Sequence, residues 1–298
     1  MQDKQLRTLI NMLRLNPLLI EGVSIDRLRG SVDNMGDKAP SLSGISSEKI
    51  VVGGVNVCHF FPEKVNSSQK LMIYLHGGGY VMGSSRSHRP LLEYLCLAFE
   101  GSVYSIDYSL APEAPFPIAL NEVLGVYRQI LSAGKSAKKI VIAGDSAGGG
   151  LALASLLNFR EEGLEMPACG VLISPWTDLA MTGESVLSCA PFDPIVKREA
   201  LSEFGSMYLG GALPTTPLAS PLYANFHGLC PILVQVGGTE VLLDDSLRLR
   251  KKLESAAVTT ELQVWDDVVH VWHLFAPILE KGKEAINDAA KYANAHVS

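Results

Sequence analysis

Ser146 lies in Gly144-Asp145-Ser146-Ala147-Gly148, a serine between glycines directly ahead of a small apolar run. In a G-x-S-x-G pattern the glycines let a strand turn so sharply into a helix that the serine hydroxyl is left exposed at the bend. The chemistry on offer is nucleophilic attack on a carbonyl, which needs a base, an acid to orient that base, and donors for the oxyanion. Glycines at such a bend also serve simply to pack a helix on a sheet, so the rest of the chain must supply those partners. "LMIYLHGGGYVMG" sets His76-Gly77-Gly78-Gly79 just after an apolar strand. Backbone N–H groups of Gly77, Gly78 and Gly79 can face a carbonyl oxygen there with no side chains in the way, and the Ala147 N–H is a further donor.

Seven histidines compete for the base: His59, His76, His88, His227, His270, His273 and His296. Where a nucleophile of this type is followed by its acid and then its histidine, the three upstream of Ser146 drop out. His296 lies at the chain end and His227 precedes the last strands, which leaves His270 in "WDDVVHVWH", directly after the final strand. His273, one helical turn on, reads as a packed or capping histidine. No acidic or cysteine ligand sits at a matching spacing to make the two a metal site. For the acid, Glu240, Asp244 and Asp245 follow the strand "PILVQVGG". Glu240 is favoured because a loop carboxylate a few residues past the strand can reach the neighbouring loop carrying His270. Asp244 and Asp245 fall where a helix starts, and carboxylates there serve its dipole.

These residues need a scaffold of strands ending on one side. Leu6, Leu9, Ile10 and Leu13 predict an amphipathic N-terminal helix, "SVDNMGDKAPSLSG" (31–44) a loop, and "EKIVVGGVNVCHFF" a hairpin turning through Gly53-Gly54. Strands and helices then alternate: "KLMIYL", "RPLLEYLCLAFE", "SVYSIDY", "IALNEVLGVYRQILSA", "KKIVIAG" and the helix after Ser146. Continuous apolar strands of this kind belong to a parallel sheet covered on both faces. "CGVLISPW", "PILVQVG", a helix from about Asp244 to Ala256, "TELQVWD" and a closing helix from about Trp272 complete the series. Between Leu179 and Pro214 the alternation breaks, and "REALSEFGSMYL" is a helix with no strand partner, which with the N-terminal helix reads as a lid over the strand ends.

The 298 residues suffice for one large α/β domain, and 47% hydrophobic with 19% charged residues is a globular balance. A net charge of -6 argues against a nucleic-acid partner, which calls for clustered Lys and Arg. The five cysteines form no C-x-x-C pair and read as buried free thiols in a reducing compartment. No stretch matches a signal peptide or a membrane span, so a cytoplasmic protein acting on a small, mostly uncharged ligand is expected.

With these residues in place the chain resembles the bacterial hormone-sensitive lipase-like (family IV) esterases of the α/β-hydrolase superfamily. The resemblance rests on "HGGGYVMGS" (76–84), "DYSLAPEAPFP" (107–117), "GDSAGG" (144–149), "SPWTDL" (174–179) and "HVWHLF" (270–275), all in family order. It implies a mostly parallel sheet flanked by helices, with a two-part helical cap over the C-terminal strand ends. The cap would comprise residues 1–45 and an insertion at about 180–214, with residues 46–298 forming the catalytic domain. It also implies a serine esterase for short and medium acyl esters, with Ser146, Glu240 and His270 as triad and no cofactor or metal. Amidase, formamidase or lactonase activity would use the same site, a non-catalytic ligand-binding member of the fold is a further alternative, and a homodimer is among the assemblies open to it. Two departures stand out: Ser109 replaces the usual Arg of the Asp-Tyr-Arg-Leu-Ala-Pro-Glu motif, and the acid motif Asp-Pro-Leu reads Glu240-Val241-Leu242. Asp107 and Glu113 are assigned to structure and Asp145 to shaping the elbow, while Leu6, Leu9, Leu13, Phe192, Phe204, Met207 and Tyr208 are expected to wall an acyl pocket.

Overall fold

In the computed structural model, which describes residues 2–17, 22–64 and 69–298, strands and helices alternate much as the apolar pattern predicts. Two N-terminal helices, α1 (Gln2–Leu15) and α2 (Ile25–Lys38), precede the hairpin β1 (Ile45–Val52) and β2 (Val55–Pro62). Its two-residue turn has φ +58° at Gly53 and +82° at Gly54, which is why glycines stand there. Then come β3 (Leu71–Leu75), α3 (Arg89–Phe99), β4 (Ser102–Ile106), α4 (Ile118–Ser132), β5 (Ile140–Asp145), α5 (Ala147–Glu161) and β6 (Cys169–Ile173). After a segment carrying the short α6 (Ser185–Ser188) and α7 (Arg198–Leu209), the alternation resumes with β7 (Ile232–Gly237), α8 (Leu243–Ser255), β8 (Thr260–Trp265) and α9 (Glu280–His296).

The strands form one sheet in the order β1-β2-β4-β3-β5-β6-β7-β8. The pairs β1·β2 and β2·β4 are antiparallel, and every pair from β4 to β8 is parallel. Side chains alternate across the sheet: Leu71, Ile73 and Leu75 join the core under α4, α5 and α8, while Met72 and Tyr74 join the core under α3 and α9. Helices on both faces explain why β3, β5, β6 and β7 are buried at every position and read as unbroken apolar runs. The chain leaves β3 for β4 on one side and returns to β5 on the other. This reversal opens a crevice at the C-terminal ends of β3 and β5, the usual ligand position in such sheets.

Two expectations are corrected. Residues 31–44, read as loop, are helical as far as Lys38. Leu28, Val32 and Met35 do recur at helical spacing, but Gly30, Gly36 and the intervening polar residues obscure the pattern. Gly36 is required for close approach, since a Cβ there would stand 2.0 Å from the Arg86 carbonyl oxygen. The closing helix begins at Glu280 rather than near Trp272, where only a 3-10 turn (Trp272–Phe275) forms before Pro277 interrupts. Among the described residues, no helix is long and apolar enough to cross a membrane.

Candidate active site

Ser146 occupies the bend between β5 and α5 with φ 53° and ψ -121°, and its N–H donates to the Ile173 carbonyl (2.9 Å). This strained backbone holds because the flanking glycines bring α5 onto the ends of the strands. A Cβ on Gly148 would meet the Leu75 carbonyl oxygen at 2.0 Å, and one on Gly144 would meet the Gly148 carbonyl oxygen at 2.4 Å. Ala147, the first residue of α5, has an N–H with no acceptor inside the helix.

His270 stands in the loop after β8, and its Nδ1–H donates to Glu240 Oε2 at 2.6 Å. Glu240 sits three residues past β7, fully enclosed, and its other oxygen accepts from the Gly237 N–H (2.6 Å) and the Ser174 hydroxyl (2.7 Å). Donors on both oxygens favour the carboxylate, so the shared proton belongs on the imidazole. Burial alone would lower the His270 pKa, but the charge and hydrogen bond of Glu240 outweigh it and hold it above the ordinary imidazole value. Burial pushes the Glu240 carboxyl up, against the opposing pull of His270.

The other two carboxylates are engaged elsewhere. Asp244 Oδ2 accepts from the Ser185 N–H (2.9 Å). Asp245 Oδ2 accepts from the N–H groups of Thr177 (2.7 Å) and Asp178 (2.8 Å). His273 is buried with Nε2 2.9 Å from Gln235 Oε1, and burial lowers its pKa to about 3, so it is a neutral packed histidine. His270 and His273 thus engage different partners.

After β3, Gly78 has φ +117° and a Cβ there would stand 2.2 Å from the Met82 carbonyl oxygen, so only glycine makes this turn. The Gly77 N–H is spent on Asp145 Oδ1 (3.0 Å). The Gly78 and Gly79 N–H groups make no hydrogen bond among the described residues.

Ser146, His270 and Gly77 to Gly79 all line one cavity of about 390 Å³. Apart from Ser87, His88, Asp145 and Lys197, its remaining walls are mainly apolar and come from α1 and α2 (Met12, Val32, Met35), from α7 and its approach (Ile195, Leu201, Phe204), and from the loop before α9 (Leu274, Ile278). The expected acyl wall is therefore only partly right. Leu6, Leu9 and Leu13 face away from it, packed on Val268, Trp272 and Phe275, and it is Met12 of that helix that reaches the cavity. Phe204 does line it, but Phe192 is 59% exposed, Met207 packs on the main core and Tyr208 stacks on Tyr80 with ring centroids 3.6 Å apart.

Asp107 and Glu113 act as braces. Asp107 accepts from the Ser85 N–H (2.6 Å) and hydroxyl (2.9 Å), and Glu113 takes both ends of the Arg29 guanidinium from α2 (2.8 and 2.9 Å). Arg29 also donates to the Val81 carbonyl (2.7 Å), tying α2 to the glycine loop. Ser109, in place of arginine, bonds Glu122 through its N–H (2.7 Å) and hydroxyl (2.6 Å). Sequence reasoning passed over Ser174, whose hydroxyl orients Glu240. Its one signal is its place at the head of "SPWTDL". It also passed over Asp193, buried in the 180–214 segment, which accepts from the Val241 N–H (3.0 Å) and so braces the residue after Glu240.

Comparison with known proteins gives the family. A family model for the alpha/beta hydrolase fold matches residues 72–274. The chain is 38% identical over 241 residues to an acetyl-hydrolase of Streptomyces hygroscopicus, covering 80% of this chain and 81% of that one. It is 37% identical over 228 residues to an esterase of Acinetobacter venetianus, covering 76% and 75%. A solved esterase of the bacterial hormone-sensitive lipase family superposes with a TM-score of 0.95 at 41% identity over 99% of both chains. The chain belongs to the α/β-hydrolase family, in its hormone-sensitive lipase-like branch, and is a carboxylic ester hydrolase.

Proposed function

We propose that the protein hydrolyses short- to medium-chain acyl esters through an acyl-enzyme on Ser146. His270 takes the hydroxyl proton as Ser146 attacks the ester carbonyl, and returns it to the leaving alkoxide. Glu240 holds the imidazole tautomer and stabilises its charged form, and water repeats the cycle to release the acid. The observation that carries this reading is the 2.6 Å Glu240–His270 bond, in which an enclosed carboxylate aims a histidine that opens into the same cavity as the Ser146 elbow. The oxyanion donors are the N–H groups of Gly78, Gly79 and Ala147. Gly77 leaves the set because its N–H is committed to Asp145. Residues 1–45 and 180–214 act as a two-part cap, a role supported by the cavity walls drawn from α1, α2 and α7. Unpaired cysteines at all five positions fit a reducing, cytoplasmic setting.

The mainly apolar walls of this cavity of about 390 Å³ set the acyl range. Each added CH₂ that is buried contributes about 0.8 kcal/mol, roughly fourfold in kcat/KM, until the space is filled. A p-nitrophenyl ester series from C2 to C16 is expected to peak at roughly four to six carbons and fall steeply beyond. Phe204→Ala removes a wall and is expected to raise the C8 to C4 ratio of kcat/KM several-fold, at a stability cost of about 3–5 kcal/mol. A flat series, or an unchanged ratio in a folded Phe204 variant, would contradict this assignment of the pocket.

A further inference from the structure

Behind the glycine turn lies a buried polar cluster that the mechanism does not use. Asp145 Oδ1 accepts from the Tyr74 hydroxyl (2.7 Å) and the Gly77 N–H (3.0 Å), and His88 Nε2 lies 3.2 Å from Oδ1 and 3.3 Å from Oδ2. Tyr74, His88 and Asp145 are all buried. The Gly77 N–H also lies 3.3 Å from Nε2, but the Asp145 carboxylate can only accept, so the Nε2 proton points at Asp145 and the Gly77 N–H goes to Oδ1, with Ser87 Oγ 2.9 Å from Nδ1 serving the other ring nitrogen. Burial works to raise the Asp145 pKa, but the charge and hydrogen bond of His88 and the bond from Tyr74 hold the carboxyl below its ordinary value.

The consequence reaches the glycine loop. The Gly77 peptide is tethered at both ends, its N–H by Asp145 and its carbonyl by the Nδ1–H of His76 (2.9 Å). Burial lowers the His76 pKa to about 4, so this second tether is a neutral imidazole. With the Gly77 peptide fixed, the Gly78 carbonyl turns to accept from the N–H groups of Val81 (3.2 Å) and Met82 (3.0 Å). That orientation leaves the N–H groups of Gly78 and Gly79 unclaimed at the cavity, which His88 and Asp145 also line.

We propose that His88 is a positioning residue for ester hydrolysis: its Nε2–H holds the Asp145 carboxylate on the Gly77 N–H and thereby fixes the turn that aims the oxyanion donors. The inference rests on the reading of Ser146 as nucleophile and of Gly78 and Gly79 as donors. His88→Leu removes the donor, and His88→Gln restores an N–H near the position of Nε2. Loss of aim affects the transition state more than the bound ester, so His88→Leu is expected to lower kcat by about 10- to 100-fold with KM changed less than about twofold. The inhibition constant of a trifluoromethyl ketone, which forms a hemiketal oxyanion, should rise in step with the fall in kcat, and His88→Gln should recover most of both. Tyr74→Phe, which removes another donor to Asp145, is expected to move kcat and the inhibition constant in the same proportion, and decides the matter if His88→Leu does not fold. Unchanged kcat, or a rise in KM alone, in folded variants would overturn the proposal. Wild-type protein treated with a fluorophosphonate separates the two claims. Labelling at Ser146 with unaffected His88 variants sinks this inference alone, and absence of labelling at Ser146 sinks the nucleophile with it.

Discussion

Ser146→Ala is expected to lower kcat for p-nitrophenyl butyrate by about 10⁶-fold, the scale of loss when a serine hydrolase is stripped of its nucleophile. The fold should survive, because alanine keeps the Cβ that the elbow already accommodates at φ 53° and removes only a hydroxyl facing the cavity. The thermal midpoint and the circular dichroism spectrum should therefore match the wild type. Turnover near the wild-type rate in this variant would remove Ser146 from the chemistry.

Glu240→Gln is expected to cost about 10⁴-fold in kcat, the scale seen when the acid of a triad is neutralised in a protease. Asp244→Asn and Asp245→Asn should keep near-wild-type turnover, since Asp244 bonds Ser185 and Asp245 bonds Thr177 and Asp178, not the histidine. The pH profile adds a signed test. His270 must be neutral to accept the Ser146 proton, so kcat/KM falls as pH drops through the His270 pKa. Glu240 holds that pKa above the ordinary imidazole value, which puts the acid limb of the wild type above about pH 6.5. In Glu240→Gln the nearest charge is gone and burial is opposed only by the charges of Asp193 and Asp145, so the acid limb should move to lower pH while the plateau falls. An unmoved limb, or a dead Asp244 variant, would give the acid to another residue.

The scaffold and the candidate site were legible for different reasons. Strands such as β5 and β6, buried on both faces, announce themselves as apolar runs, and the Gly53-Gly54 turn and the Gly144/Gly148 elbow announce themselves because backbone approaches there exclude a side chain. The contact of Glu240 with His270 was recoverable from the place of Glu240 just past β7 even though its motif departs from the family form. What escaped was interaction without a local pattern. Helix α2 is held to the glycine loop by Arg29, and by Asp33 accepting from the Ser84 hydroxyl at 2.5 Å, contacts between positions some fifty residues apart that no periodicity encodes. Whether Gly77 offers its N–H to a substrate or to Asp145 depends on a side chain 68 positions away. The cavity wall was misread for a similar reason: α1 buries its leucine stripe on the histidine loop, and only the flanking Met12 turns inward.

The central claim is that the ester's acyl group passes through a covalent bond to Ser146. Rapid acid quenching of the wild-type protein during turnover of a slowly deacylating p-nitrophenyl ester, followed by peptide mass spectrometry, reads this directly. The expected result is one acyl group per chain, on the peptide bearing Gly144-Asp145-Ser146-Ala147-Gly148, preceded by a matching burst of p-nitrophenol and absent from Ser146→Ala. A stoichiometric adduct on a different residue, or the same burst and adduct in the Ser146→Ala protein, would contradict it.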